Sequence, residues 1–267
     1  MITSTANSQV KQLIQLNKKA KLRGERDVFV VEGPKMFGEA PKGRIEKVYV
    51  SESYFEKSFQ GEGKNEGHGA GTPLDGVSYE VVADAVFRSM SDTQTPQGVL
   101  CLVRQYHYEL QDLLKQKTPL FLVLENLQDP GNLGTIMRTA EGAGVTGVIL
   151  SRGSVDIYNP KTIRSTMGSI YRVPFLYVDD LRETLAVLRE HGVKSYAAHL
   201  QGKNTYDKED FSGGTAFLIG NEGNGLSDDL SACADTYIRI PMEGQLESLN
   251  AAVAAAILMY ETHRQRA

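Results

Sequence analysis

Five polar residues that each follow an apolar run are of types able to do chemistry. Asn132 and Arg138 follow an apolar run ending at Leu124, Glu222 follows a second run ending at Ile219, and Ser248 and Asn250 follow a third near Ile240. Arg138 sits in Asn-Leu-Gly-Thr-Ile-Met-Arg, beside rather than on the stripe of Leu133, Ile136, Met137 and Ala140, so a helix there need not bury it. A guanidinium hardly deprotonates in proteins, so Arg138 reads as a cation for a phosphate or a developing oxyanion rather than as a base. The plainer reading is a surface arginine paired with Glu141 or Glu125. Asn221-Glu222 reads either as a loop-shaping pair or as an ion-pair partner that orients Arg138. Ser248 is a candidate helix N-cap, as is Asn132 after Pro130-Gly131. Segment 161–168, Lys-Thr-Ile-Arg-Ser-Thr-Met-Gly, offers Arg164, Ser165 and Thr166 at a helix start after Asn159-Pro160, an anion-binding arrangement as well as an ordinary solvated one. The five histidines have no metal-ligand spacing, so no metal is expected.

Alternating strands and helices must position these residues. Strands are expected over 120–124, 147–150, 173–178, 195–198, 215–219 and 236–240, with helices over 131–142, 161–169 and 181–191. Buried apolar strands alternating with helices predict an α/β fold with a parallel sheet covered on both faces. The first hundred residues read as a smaller α/β unit: helix 7–20, strand 28–31, a helix to about 40, strand 47–50, helix 52–59, strand 78–82, helix 83–90 and strand 98–104. Between them, 60–76 holds six glycines and predicts a flexible loop in which His68 is solvated. The polar stretch 105–118 reads as a linker, giving domains of 1–104 and 119–267.

Hydrophobic residues at 41% and charged residues at 23% fit a globular chain, and no apolar run approaches a membrane span. Residues 1–12 lack a leader-like apolar region, and Cys101 and Cys233 are too few for a disulfide framework, so a cytoplasmic protein is expected. The net charge of −4 disfavours indiscriminate nucleic-acid binding. Residues 1–35 nevertheless hold seven Lys or Arg against three acids. Lys18, Lys19, Lys21 and Arg23 are the densest part of that excess and are candidate phosphate contacts, an ordinary solvated helix face being the alternative.

Taken together, Asn126 to Gly144, Phe217 to Ser227 and Ile238 to Asn250 resemble the three motifs of the SpoU (TrmH-like) RNA ribose 2′-O-methyltransferases of the SPOUT group. The resemblance implies a SPOUT fold with a deep trefoil knot, S-adenosylmethionine as cofactor, RNA as substrate (rRNA ahead of tRNA) and a homodimer. It implies site roles for Asn132, Arg138, Glu222, Ser248 and Asn250. It implies a cofactor pocket formed near Leu218, Gly220, Asn221, Ile240, Met242, Ser248 and Leu249, with Gly220 letting the chain pass close to the cofactor. Asn-Ser-Gln-Val-Lys, Phe-Val-Val-Glu-Gly and Thr-Gln-Thr-Pro-Gln-Gly-Val resemble the L30e-like substrate-binding domain that precedes many such catalytic domains, implying RNA capture. The charge-poor helix 251–260 is expected to bury two sides, with Leu258 or Met259 near a two-fold contact. A non-catalytic RNA-binding or ribosome-assembly protein keeping the fold is the competing reading. A Rossmann oxidoreductase is excluded, because Pro-Gly-Asn-Leu-Gly does not provide the required glycine spacing.

Overall fold

The computed structural model describes residues 1–59, 74–199, 202–245 and 248–267. Most of the expected glycine-rich loop, His68 included, lies outside the described residues. The chain forms two compact units.

The first unit comprises Met1–Tyr106 and Tyr158–Tyr171. Its elements are α1 (Ser8–Lys18), α2 (Ala20–Arg26), β1 (Val28–Glu32), α3 (Pro34–Glu39), β2 (Ile45–Ser51), α4 (Glu52–Phe59), β3 (Tyr79–Val82), α5 (Asp84–Met90) and β4 (Val99–Arg104). The sheet runs β1-β4-β2-β3, antiparallel except for the β2–β3 pair. Val10, Leu13 and Leu16 of α1 share a core with Phe87, Met90 and Leu100. The single helix expected over 7–20 stops at Lys18 because the backbone turns extended at Lys19. Arg23 seals that break: its Nη1 donates to the carbonyls of Leu16 (2.5 Å) and Asn17 (3.2 Å), which the helix end leaves without intrahelical partners. Arg23 is 3% exposed, so the expectation that it contacts phosphate is corrected; Lys18, Lys19 and Lys21 are exposed.

The second unit comprises His107–Ile157 and Arg172–Ala267. Following β4 the chain forms α6 (Leu110–Leu113), β5 (Leu120–Leu124), α7 (Pro130–Ala143) and β6 (Gly147–Ser151), then contributes α8 (Pro160–Thr166) to the first unit. It continues through β7 (Phe175–Val178), α9 (Leu181–Glu190), β8 (Lys194–Ala198), β9 (Asn204–Thr205), β10 (Thr215–Ile219), α10 (Asp228–Ser231), β11 (Thr236–Arg239) and α11 (Ala251–Arg266). The seven strands are all parallel, in the order β7-β6-β5-β10-β8-β11-β9. β5 and β10 are buried at every position, which is why they read as unbroken apolar runs. Alternate residues Phe121, Val123, Ala216 and Leu218 meet Leu185 and Leu188 of α9, while α11 packs on β10 and α7.

Several expectations change. Segment 158–171 was expected inside one continuous domain over 119–267, but it packs with the first unit, Tyr158 stacking on Phe29 at 4.7 Å and α8 lying on β1. The stretch read as a linker contains α6, whose Leu113 is buried. Asn132 does not cap α7; Asp129 does, accepting from the Asn132 backbone N–H at 2.8 Å, and Gly144 closes the helix in the left-handed conformation (φ 73°). Ser248 does not cap α11; Asn250 does, accepting from the N–H groups of Ala252 and Val253. Leu258 and Met259 are fully buried within the single chain, so neither is available for a two-fold contact. Of the large hydrophobic α11 side chains, Val253 and Tyr260 are the exposed ones, at 48% and 50%. Cys101 is buried, which pushes its thiol up to about 12, and Cys233 is half-buried; both are free.

Candidate active site

The polar ends of three parallel-strand segments are joined by hydrogen bonds whose directions are forced. Asn250 Oδ1 is occupied by the N–H groups of Ala252 (2.9 Å) and Val253 (3.3 Å). Its Nδ2 therefore faces Asn132 and donates to Oδ1 at 2.9 Å. Asn132 must then present Nδ2 to Glu222, whose ionised carboxylate can only accept, and it does so at 3.0 Å. Glu222 also accepts from the backbone N–H groups of Gln128 and Asp129, each at 3.0 Å. Burial raises the Glu222 carboxyl, but the bonds from Asn132, Gln128 and Asp129 outweigh it and hold the group below the ordinary glutamate value. Glu222 thus braces the first-motif loop and makes no ion pair with Arg138, which corrects the orienting role expected for it.

The loops carrying these residues are fixed by their own turns. Asn221 Oδ1 accepts from the N–H groups of Gly223 and Asn224, and its Nδ2 donates to the carbonyl of Asn126 at 2.7 Å. Asn221 and Gly225 pair as an isolated antiparallel bridge. A Cβ on Gly220 would lie 2.1 Å from the Gly225 carbonyl carbon and the Leu226 nitrogen. Glycine is therefore required at 220 by the loop's own backbone, a different reason from the close passage of a ligand expected from sequence. Glu125 holds the far side of the loop, accepting from Ser227 N–H (2.7 Å) and Oγ (2.6 Å).

Above this frame lies a cavity of about 410 Å³, within the size range of small-molecule sites. Gly220, Asn221, Glu222, Ile240, Met242, Ser248 and Leu249 line it. Leu218 does not; it is buried on the α9 face of β10, and strand alternation gives the cavity Ile219 instead. Sequence reasoning missed Ile219, Leu226, His199 and Arg239, all lining residues. Arg239 was detectable as the last residue of a strand entering Ile240-Pro241; His199 gave no such signal. Ser248, relieved of capping, is exposed and hydrogen-bonds to no described residue.

Arg138 is exposed and has no hydrogen-bond or ion-pair partner among the described residues. Its suggested partners are taken, Glu141 by Arg172 and Glu125 by Ser227. Arg138 does not line the cavity. Six residues beyond Asn132, it is rotated by about 240° around α7 at 3.6 residues per turn. In the first unit, Arg164 Nη1 donates to Asp92 at 2.8 Å and Ser165 Oγ donates to the Lys161 carbonyl at 2.9 Å. Both of those candidates are thus engaged within the chain. Among the described residues, no group of three or more His, Cys, Asp or Glu is placed to hold a metal, and no helix is long and apolar enough to cross a membrane.

Comparison with known proteins accounts for both units. The SpoU rRNA methylase family matches residues 119–260 and the MRM3-like substrate-binding domain matches residues 7–101. Among relatives, the 23S rRNA (guanosine(2553)-2′-O)-methyltransferase RlmP of Bacillus subtilis is 33% identical, over 97% of each chain. The crystal structure of an AdoMet-bound rRNA methyltransferase from Sinorhizobium meliloti superposes with a TM-score of 0.84 at 31% identity, covering 98% of this chain and 97% of that one. The SpoU methyltransferase AviRb from Streptomyces viridochromogenes gives a TM-score of 0.82 at 25% identity, covering 97% and 98%. With the catalytic-domain match spanning more than half of its length and a relative this similar along nearly all of it, the chain belongs to the SpoU rRNA methylase family, S-adenosylmethionine-dependent RNA methyltransferases, and carries a substrate-binding domain ahead of the catalytic one.

Proposed function

We propose that the chain methylates a ribose 2′-hydroxyl of ribosomal RNA in the cytoplasm, acting as a homodimer in which each cavity is completed by Arg138 of the second copy. The carrying observation is the forced hydrogen-bond chain from Asn250 through Asn132 to Glu222, which locks three motif loops around one cavity. The similarity to RlmP along both units supports ribosomal RNA ahead of transfer RNA.

The cavity's residues fit S-adenosylmethionine. Apolar Ile219, Leu226, Met242 and Leu249 offer surface for a purine, and the turn of 220–225 brings backbone groups to the wall. The cofactor when bound supplies an electrophilic methyl carbon on a sulfonium sulfur. The chain's own task is alignment of the ribose oxygen and stabilisation of the charge that develops on it. Ser248, exposed at the cavity with its hydroxyl uncommitted, positions the ribose. Arg138 holds positive charge beside the 2′-oxygen and grips the neighbouring phosphate. Asn132, Glu222 and Asn250 position the loops rather than touching the reacting atoms. The trefoil knot implied by the motifs belongs to the same reading.

Two features support the second copy. Arg138 has no partner among the described residues and is turned away from its own cavity frame. Val253 and Tyr260, seven residues apart on one face of α11, leave apolar surface uncovered. Subunit complementation tests the reading. Arg138→Ala and Glu222→Ala chains, each inactive alone, are unfolded and refolded as an equimolar mixture. Half of the dimers are then mixed and each has one intact site, so about a quarter of wild-type activity should return. No recovery beyond the sum of the two homodimers would overturn the shared site.

A further inference from the structure

Among the described residues, two charged side chains, Glu222 and Arg239, line the cavity. Glu222 is committed, taking three donors from the first-motif loop. Arg239 is the last residue of β11, where its backbone is held in register with Thr205 of β9. Its neighbour Ile238 is fully buried, so strand alternation sends the Arg239 side chain away from the core. The side chain is exposed and has no hydrogen-bond or ion-pair partner among the described residues. Beside it the described wall presents the His199 imidazole, the committed Glu222 carboxylate, the Ser248 hydroxyl, and backbone, amide and apolar groups, so the uncommitted guanidinium is a ready partner for an anion, and its planar fork suits a carboxylate in particular.

S-Adenosylmethionine carries two positive groups, the sulfonium and the α-ammonium, and a single negative one, the α-carboxylate. Arg239 repels the first two and complements the third. We infer that Arg239 binds the α-carboxylate of the cofactor's methionine portion and thereby fixes which end of the cavity the amino-acid moiety occupies. The nucleoside end is left to Ile219, Leu226 and the 220–225 turn. This inference rests on the proposed function, since it presumes that this cavity is the cofactor site. It adds a determinant of ligand orientation beyond the motif residues to which a role is given above.

Two stable ligands separate the carboxylate from the nucleoside. S-Adenosylhomocysteine retains the amino-acid end, and methylthioadenosine lacks it. Titration calorimetry of the full chain would compare wild type, Arg239→Gln and Arg239→Lys with both ligands, with no RNA present. Wild type should bind S-adenosylhomocysteine more tightly than methylthioadenosine. Arg239→Gln should weaken S-adenosylhomocysteine about tenfold while leaving methylthioadenosine within about twofold, and Arg239→Lys should fall between, keeping the charge but losing the bidentate fork. A preference for S-adenosylhomocysteine that persists unchanged in Arg239→Gln overturns the inference. So does equal weakening of both ligands. Loss of RNA affinity with both ligand affinities intact assigns Arg239 to RNA phosphate and also overturns it. If wild type binds neither ligand, the cofactor site itself is misplaced and the proposed function fails first; if it binds both equally, only the role of Arg239 fails.

Discussion

The two units treat their candidate residues in opposite ways. In the second, Asn132 lies 90 residues from Glu222 and 118 from Asn250, yet it joins both through hydrogen bonds of 2.9 to 3.0 Å. In the first, residues chosen for their charge disperse. Arg23 is buried against helix-end carbonyls and Arg164 is tied to Asp92, while Lys18, Lys19 and Lys21 remain on the surface. The loops and helix starts that follow the parallel strands are held where the sheet puts them, because a buried strand cannot slip without exposing its apolar faces. A lysine or arginine on a short helix has no such constraint. Its long side chain can serve packing, capping or solvent equally well.

The sharpest way to break this contrast is Arg138, which belongs to the ordered unit but behaves like the dispersed cations. Arg138→Ala is expected to lower kcat by about 10² to 10³, the usual cost of losing one electrostatic stabiliser, while cofactor Kd stays within a few-fold. Turnover near wild type at saturating RNA and cofactor would return Arg138 to the class of ordinary surface charges.

Next in size is the scaffold beneath the ordered site. Ala255 of α11 is fully buried, and α11 packs on α7 and β10. Ala255→Glu places an unpaired charge in that packing and should cost several kcal/mol in urea unfolding, or force the carboxyl to remain protonated. Val253→Glu, on the face assigned above to the second copy, should weaken dimer formation but leave the stability of the single-chain fold nearly unchanged. Equal effects at the two positions would show that burial within the single chain does not distinguish them.

The same contrast explains what was legible in the sequence. Strands β5 and β10 were readable because burial on both faces leaves an apolar run that few other structures produce, whereas the two-residue β9 leaves no such run and was not expected. The caps were not. Asp129 and Asn132 lie three residues apart, as Ser248 and Asn250 lie two apart, and each can cap a helix. Which one does so depends on where the helix starts, which tertiary hydrogen bonding decides. Leu218 and Ile219 were indistinguishable for the same kind of reason: both are apolar, and only the parity of β10 tells which one faces the cavity. Segment 158–171 joined the first unit through the stacking of Tyr158 on Phe29, a contact between residues 129 positions apart that no local pattern encodes.

A smaller effect separates the two kinds of cation within the first unit. Arg23→Met should destabilise the unit by about 1 to 3 kcal/mol, because the carbonyls of Leu16 and Asn17 lose a buried donor. At a temperature where the variant is folded, RNA affinity should be unchanged. Lys18, Lys19 and Lys21 reversed together to Glu should do the opposite, raising the RNA KM and flattening its salt dependence with stability nearly intact. Similar RNA defects in both variants would mean that burial does not remove Arg23 from RNA contact.

The smallest expected effect concerns the carboxylate that joins the loops. The native Glu222 carboxyl lies below the ordinary value, its hydrogen bonds outweighing burial. A group depressed in the folded state stabilises that state above its unfolded pKa, roughly 4.3 for a glutamate, and the contribution disappears as pH falls through the folded value. Glu222→Gln keeps the shape, removes the charge and offers an amide nitrogen where only an acceptor fits the N–H groups of Gln128 and Asp129. The variant should therefore melt below wild type at neutral pH, with the gap narrowing only once the pH drops beneath the usual glutamate range. Because Glu222 is exposed, solvent screening keeps the gap to a few degrees. A gap that widens on acidification would mean that the ionised carboxylate opposes the loop arrangement rather than holding it, and the hydrogen-bond chain from Asn250 would lose its anchor.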